Sequence, residues 1–351
     1  MTGSTNLTSD RAALVTVRAR PFNAETPPAA LREPVTPADA HYVRSNFDLP
    51  EHDGSVHVTG EVERPLTLAL DDLRALPAST LRVTLECAGN GRAGMAPLPT
   101  GEPWLGTAVA TAEWTGARLA DVLARVEPTP EGIEVAFAGA DHGPYKGGPD
   151  TTFERSLPLA LAGDPGNDIL LAYTMNGEPL TPDHGAPVRL VVPGWYGMAS
   201  VKWLSTIEVL TGQFEGQFQT RSYVYEWLDG EREAVTTERV RAIITDPAPG
   251  DVLAPGRHEV RGWAWSGTGP VTAVEVSIDG AGEWRPVDVE PPTEPYAWQA
   301  WSFAWDVAEP ARHVLRARAT DAAGATQPDI PPWNRLGYGN NAVQVVVVDV
   351  K

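Results

Sequence analysis

The chain has 351 residues, with 46 acidic against 27 basic side chains and a formal net charge of -19. That charge, with no basic stretch to offset it, argues against nucleic acid and acidic membrane surfaces as partners, and the length predicts two domains. A single cysteine rules out disulfides, thiolate-rich zinc sites and iron–sulfur clusters, each of which needs several.

No run of residues is long enough to span a membrane. Met1 to Asp10 is polar, without an apolar core or a twin arginine, so a cytoplasmic location is expected. Residues 1–40, rich in Ala, Pro, Thr and Glu, read as an arm lying over the first domain. From His41 the pattern becomes globular. Tyr42 to Phe47 is extended and ends at Pro50; Val56 to Val62 alternates as a strand; Leu66 to Leu76 reads as a short helix stopped before Pro77. Leu81, Val83 and Leu85 alternate with Arg82, Thr84 and Glu86, a half-buried strand running into Cys87 and the loop Ala88-Gly89-Asn90-Gly91. Glycines there would let something bulky approach the backbone.

Leu119, Val122, Leu123 and Val126 have helical spacing. Glu134 to Ala138 reads as a strand opening into a functional, glycine-rich loop over 141–148. Ile169–Tyr173, Val188–Val192 and Ile207–Leu210 are apolar strand runs. Short strands and helices without strict alternation make residues 41–230 an α+β domain. Residues 231–351 change character. Seven strand-like runs (Arg241–Thr245, His258–Trp265, Val274–Asp279, Trp284–Glu290, Trp298–Val307, His313–Asp321 and Val343–Val350) predict an all-β immunoglobulin-like sandwich without a cysteine pair.

The candidate chemistry gathers on Cys87 with Arg44, Arg92, His184, Arg189, Lys202 and Tyr223. Each has a bland alternative. A free cysteine is among the most buried residue types, single cations are usually solvated, and a buried tyrosine is usually core. The residues alone also leave open a cysteine hydrolase with His184 as base, or a binding protein without metal.

The stretch Leu85-Glu86-Cys87-Ala88-Gly89-Asn90-Gly91-Arg92 resembles the cysteine loop of the sulfite oxidase family of molybdopterin-dependent oxidoreductases. Tyr42-Val43-Arg44-Ser45-Asn46, Ala172-Tyr173-Thr174-Met175-Asn176-Gly177, Asp183-His184-Gly185-Ala186-Pro187-Val188-Arg189, Val191-Val192-Pro193-Gly194 and Ser200-Val201-Lys202-Trp203-Leu204 match in the same order. So do Gly262-Trp263-Ala264-Trp265-Ser266-Gly267, Ala297-Trp298-Gln299-Ala300-Trp301 and Gln327-Pro328-Asp329. The likeness covers roughly residues 41–350.

The resemblance implies a catalytic domain with the sulfite oxidase fold followed by a dimerisation sandwich, and hence a homodimer. It implies molybdenum bound by the Cys87 thiolate beside the dithiolene of molybdopterin. Tyr42, Arg44, Asn46, Asp141, His184, Arg189, Ser200, Val201 and Lys202 fall at positions that hold the cofactor. Arg44, Arg92, Trp104 and Tyr223 fall in its oxyanion pocket. The implied reaction is oxygen-atom transfer from molybdenum to sulfite, giving sulfate, with electrons leaving to an external acceptor. The family's further arginine comes from an Asn-Leu-Arg-Gly sequence. Here the order is Asn334-Arg335-Leu336-Gly337, so Arg335 is one place early. Gly91 and Ala199 replace arginines, Asn46 a histidine and Ser222 an acid of eukaryotic members, which points to a bacterial branch; with no second cysteine and no added domain of suitable size, no haem is expected. Molybdenum-dependent reduction of nitrate or a sulfoxide is the alternative chemistry.

Overall fold

The strand that carries the cysteine, Ala78–Glu86, is exposed where it begins and wholly buried over Val83, Thr84, Leu85 and Glu86. This corrects the half-buried reading. Alternation would put Thr84 and Glu86 on a wet face, but the second domain covers that face. Thr84 donates its N–H to Tyr296 O at 2.9 Å and its Oγ accepts from the Trp298 N–H at 2.8 Å.

The computed structural model describes residues 11–280 and 282–351. Around the cysteine strand an antiparallel sheet is ordered Glu178–Pro179, Leu170–Met175, Val109–Arg118, Ala78–Glu86, with Arg189–Val191 also paired to Leu170–Met175. A second sheet runs Leu66–Ala69, Ser55–Gly60, Leu204–Leu210, Glu134–Pro144, Asp150–Pro158. Within it, Ser55–Gly60 and Leu204–Leu210 are parallel.

Helix Leu119–Val126 buries the four apolar side chains whose spacing predicts it. The helix expected over Leu66–Leu76 is split. Leu66–Ala69 pairs with Ser55–Gly60, and only Leu70–Arg74 is helical, started where the Asp72 carboxylate accepts the Ala69 N–H at 2.8 Å. The glycine-rich stretch after Asp141 is also less of a loop than expected. The strand continues to Pro144 and turns at Tyr145–Pro149, where Lys146 and Gly147 take φ of 51° and 76°. A register irregularity between Ala138 and His142 surrounds Asp141, the kind of bulge that re-aims a side chain.

In the second domain all seven predicted runs are strands, joined by the short Val252–Leu253. One sheet contains Arg241–Asp246, Gly256–Trp265 and Gln299–Val307; the other contains Val271–Ser277, Ala311–Asp321 and Gln344–Val350. Arg285–Val289 pairs into both and joins them. Alternate residues such as Leu315, Ala317, Ala319, Val346 and Val348 face Val260, Trp301 and Trp305 in a dry core. Trp263, Trp265 and Trp298 instead pack with Leu31, Val109 and Ile243 where the two domains and the arm meet.

The arm reaches further than the first domain. Its strand Asn23–Glu25 bridges to Val43, but Trp263 Nε1 donates to Leu31 O at 2.6 Å and Trp298 Nε1 to Pro34 O at 3.0 Å. Met1 to Asp10 lie outside the described residues. No helix among the described residues is long and apolar enough to cross a membrane.

Candidate active site

Strand ends and the turns after them converge on one cavity. Cys87 enters from the end of Ala78–Glu86, only 5% exposed. Arg44, Ser45 and Asn46 come from the extended segment held by the arm, since the Asn23 side-chain oxygen accepts from the Ser45 N–H at 2.9 Å and from Arg44 Nη1 at 3.2 Å. Tyr42, His184, Arg189, Ser200, Lys202, Asp141 and Tyr223 complete the wall.

Two lining residues, Trp203 and Tyr223, hold left-handed φ of 49° and 54°. Such backbone costs about 1–3 kcal/mol each and persists where the surroundings impose it. Trp203 is fixed by the Ala140 N–H on its carbonyl and by its own Nε1 on Pro182 O. Tyr223 accepts the Val235 N–H, and its Oη accepts from Asn46 Nδ2 at 3.3 Å. Asn46 in turn accepts from Arg44 Nη2 at 2.6 Å, so Arg44, Asn46 and Tyr223 form one chain of hydrogen bonds.

The wall is rich in cations with few counter-ions. Lys202 Nζ donates to Ser45 Oγ at 2.8 Å and Asp183 O at 2.9 Å, and burial pulls it down to about 7. Arg189 is buried against the face of Trp114, spends its guanidinium on carbonyls at 3.2 Å or more, and is pulled down to about 10 by burial. Asp141 is pushed up to about 7 by burial, and its Oδ1 has no hydrogen-bond partner. His184 is pulled down to about 3 by burial and is therefore neutral, with Nε2 2.8 Å from Ala38 O. Burial also pushes the Cys87 thiol up, against the lowering influence of Arg44.

Four residues expected at the site do not line this cavity. Val201 is a core side chain, and its backbone O accepts the Leu190 N–H at 2.8 Å. Trp104 is 1% exposed and packs in the apolar cluster behind Cys87. Arg92 turns away from the cavity: Nη1 donates to Glu102 O at 2.7 Å and Nε to Leu336 O at 3.0 Å, with the guanidinium over the Tyr338 ring. Arg335 is on the surface in a bidentate pair with Glu226, both contacts at 2.6 Å. The glycines of the cysteine loop also differ from expectation. A Cβ on Gly89 would fall 2.3 Å from Arg92 Nη2, so the missing side chain makes room for the protein's own guanidinium.

Sequence reasoning did not single out His41, Ser45, Asp183, Phe153 or Met198, which also line the cavity. His41, Ser45 and Asp183 adjoin or lie within the motifs that carry the resemblance, and that proximity was the available signal. Nothing in the sequence marked Phe153 or Met198.

A sheet-built cavity with one buried thiol, backed by a β-sandwich, defines a class. Residues 44–218 match the oxidoreductase molybdopterin binding domain and residues 232–351 the Mo-co oxidoreductase dimerisation domain. The chain is 36% identical to the mitochondrial sulfite oxidase of Mus musculus over 94% of its own length, and spans 64% of that protein. It is 36% identical to the sulfite oxidase of Gallus gallus, covering 92% of this chain and 75% of that one. It is equally 36% identical to a nitrate reductase of Hordeum vulgare over 94% of its length, covering 41% of that protein. The crystal structure of the sulfane dehydrogenase SoxCD from Paracoccus pantotrophus superposes with a TM-score of 0.83 at 29% identity, over 95% of this chain and 88% of that one. The chain belongs to the sulfite oxidase family of molybdopterin-dependent oxidoreductases.

The cavity fits the family's cofactor. Three buried or half-buried cations, Arg44, Arg189 and Lys202, gather at the cavity, which suits a phosphate-bearing pterin. The Asp141 Oδ1 that faces no partner leaves a buried polar atom open to a ligand. A lone soft thiolate suffices for a metal that brings its own dithiolene.

Proposed function

We propose that this chain oxidises sulfite to sulfate at a molybdenum–molybdopterin centre held by Cys87, works as a homodimer and passes its electrons to an external acceptor in the cytoplasm. The carrying observation is that Cys87, Arg44, Asn46 and Tyr223 share one cavity with the buried cations Arg189 and Lys202.

Cys87 would ligate the metal, whose binding keeps deprotonated a thiol that burial alone pushes up. Arg189, Lys202, His184, Ser200, Tyr42 and Asp141 would hold the pterin and its phosphate; Val201 would contribute only through its backbone. When bound, the cofactor supplies oxygen-atom transfer coupled to a two-electron change, so that sulfite and water give sulfate, two protons and two electrons. Arg44 would grip the sulfite oxygens with its planar guanidinium, oriented by Asn46, and Tyr223 Oη would donate to the same oxyanion once its bond from Asn46 is kept. In this reading Arg92 stabilises charge from behind the wall rather than by contact, and Trp104 supports the apolar side of Cys87.

A second reading, molybdenum-dependent reduction of nitrate, has support from the nitrate reductase likeness and from Arg335 being spent on Glu226. Protein from a host that makes molybdopterin should contain close to one molybdenum per chain and reduce ferricyanide when given sulfite. Nitrate consumption by the reduced enzyme, with no sulfite turnover, would overturn the first reading in favour of the second. Absence of molybdenum would overturn both.

A further inference from the structure

The turn that follows Cys87 is held from behind, and most of the holding groups belong to the second domain. Glu86 immediately precedes Cys87 and is almost completely buried. Its Oε1 accepts from Arg241 Nη1 at 2.6 Å and Asn90 Nδ2 at 2.9 Å; its Oε2 accepts from Trp265 Nε1 at 3.1 Å. The same Arg241 nitrogen donates to Asn340 O at 3.0 Å, and Asn340 Nδ2 donates to Gly91 O at 2.6 Å. The Gly339 N–H binds Ala88 O at 2.8 Å. Arg241 therefore joins, through two short links, the residue before the cysteine and the glycine that ends its turn. Gly91 itself has φ of 73°, and a Cβ there would lie 3.1 Å from Asn340 Nδ2.

We propose that the Glu86–Arg241 ion pair is a positioning device through which the second domain fixes the Cys87 turn and so the place of the thiolate. A buried ion pair is a poor source of stability compared with an apolar pair of the same volume, whereas removing one partner leaves a charge stranded. What such a pair does supply is register, because both ends must be satisfied in one geometry. The second domain then does more than associate subunits. It holds the back of the metal site.

This inference rests on reading Cys87 as the ligand, but its test needs neither metal nor substrate. Cys87 is the chain's single cysteine, so alkylation by N-ethylmaleimide of cofactor-free protein reports that one thiol. Arg241→Met strands the Glu86 charge and should raise the alkylation rate at least tenfold; Glu86→Gln with Arg241→Met should return it to within threefold of the starting protein. In molybdenum-loaded protein, Arg241→Met should shift the metal's EPR signal. An unchanged alkylation rate accompanied only by a lower unfolding midpoint would overturn the proposal, because it would reduce the pair to domain adhesion. A double variant as reactive as the single one would also overturn it. Should Arg241→Met fail to fold, Asn340→Ala, which keeps the ion pair and cuts the Gly91 link, should raise the rate at least threefold, and no change would overturn the proposal.

Discussion

The two sides of the Cys87 turn are built on opposite electrostatic plans. Behind it, Glu86 has its charge matched by Arg241 and its oxygens filled by Asn90 and Trp265. In front of it, Arg189 and Lys202 face a cavity where carbonyls, a hydroxyl, an Asp141 pushed up by burial and an Asp183 already engaged by Arg11 answer them. The rear answers the Glu86 charge with the protein's own groups. The front is complete only with an anion, and a buried charge without one is costly. The satisfied side fixes where the turn sits, and the unsatisfied side is where a ligand can bind.

The largest test of that contrast is the thiol between them. Cys87→Ser removes the soft ligand with a small loss of volume and leaves the rear contacts in place. Turnover of sulfite should fall at least a thousandfold, by about 4 kcal/mol or more in the barrier, and molybdenum content should fall with it, while the unfolding midpoint of cofactor-free protein stays within a few degrees. Substantial residual activity would break the ligand assignment.

The next test separates front from back by their response to neutralisation. Arg189→Met keeps an apolar stem against Trp114 and removes a cation that has only long carbonyl contacts. Cofactor-free variant should be as stable as the parent, within about 1 kcal/mol, or more stable. Molybdopterin content after purification should drop at least tenfold. A large loss of stability with full cofactor content would reverse the contrast.

Acid gives a third test. His184 takes up its proton in the unfolded chain near its ordinary value of 6.5, but in the folded chain only near 3 because of burial. As pH falls from 6.5 the unfolded state binds a proton that the native state refuses, so stability declines until the pH reaches the folded value. The bound is roughly 1.4 kcal/mol for each pH unit in that window. Thermal unfolding of cofactor-free protein should show a falling midpoint between pH 6.5 and 4, with a shallower slope in His184→Gln. Equal slopes in both proteins would remove His184 as the cause.

How far the sequence reveals this arrangement follows from how each part is made. The sandwich is legible strand by strand because Leu315, Ala317 and Ala319 alternate with wetter neighbours against a single dry core. The end of Ala78–Glu86 is not, because Thr84 and Glu86 are covered by residues about 150 to 210 positions away, and no local pattern records that. Arg44, Tyr223 and Lys202 are legible as residue types within the family's motifs. Arg92 is not legible to the same degree. Its motif position is unremarkable, but its guanidinium is taken by Glu102 O of its own domain and by Leu336 O and Tyr338 on a loop of the other domain. Asp141 was named from its motif, but the bulge that surrounds it appears only when two strands pair.

The smallest expected effect concerns the arginine that the sequence places one position early. Arg335 is 59% exposed along its side chain and holds Glu226 by two bonds of 2.6 Å. A pair this exposed is worth about 0–1 kcal/mol to the fold, and the guanidinium stays at the surface as long as the pair holds. Arg335→Ala should therefore change the KM for sulfite less than twofold, leave kcat unaltered and lower the unfolding midpoint by no more than a degree or two. Arg44→Ala, which removes a guanidinium already in the cavity, should raise KM at least tenfold under the same conditions. The comparison is informative in both directions. If Arg335→Ala raised KM as much as Arg44→Ala does, the bond to Glu226 must open when sulfite enters. The oxyanion pocket would then be completed by the second domain from the front, and the division between a filled rear and a vacant front would hold only for the unliganded protein.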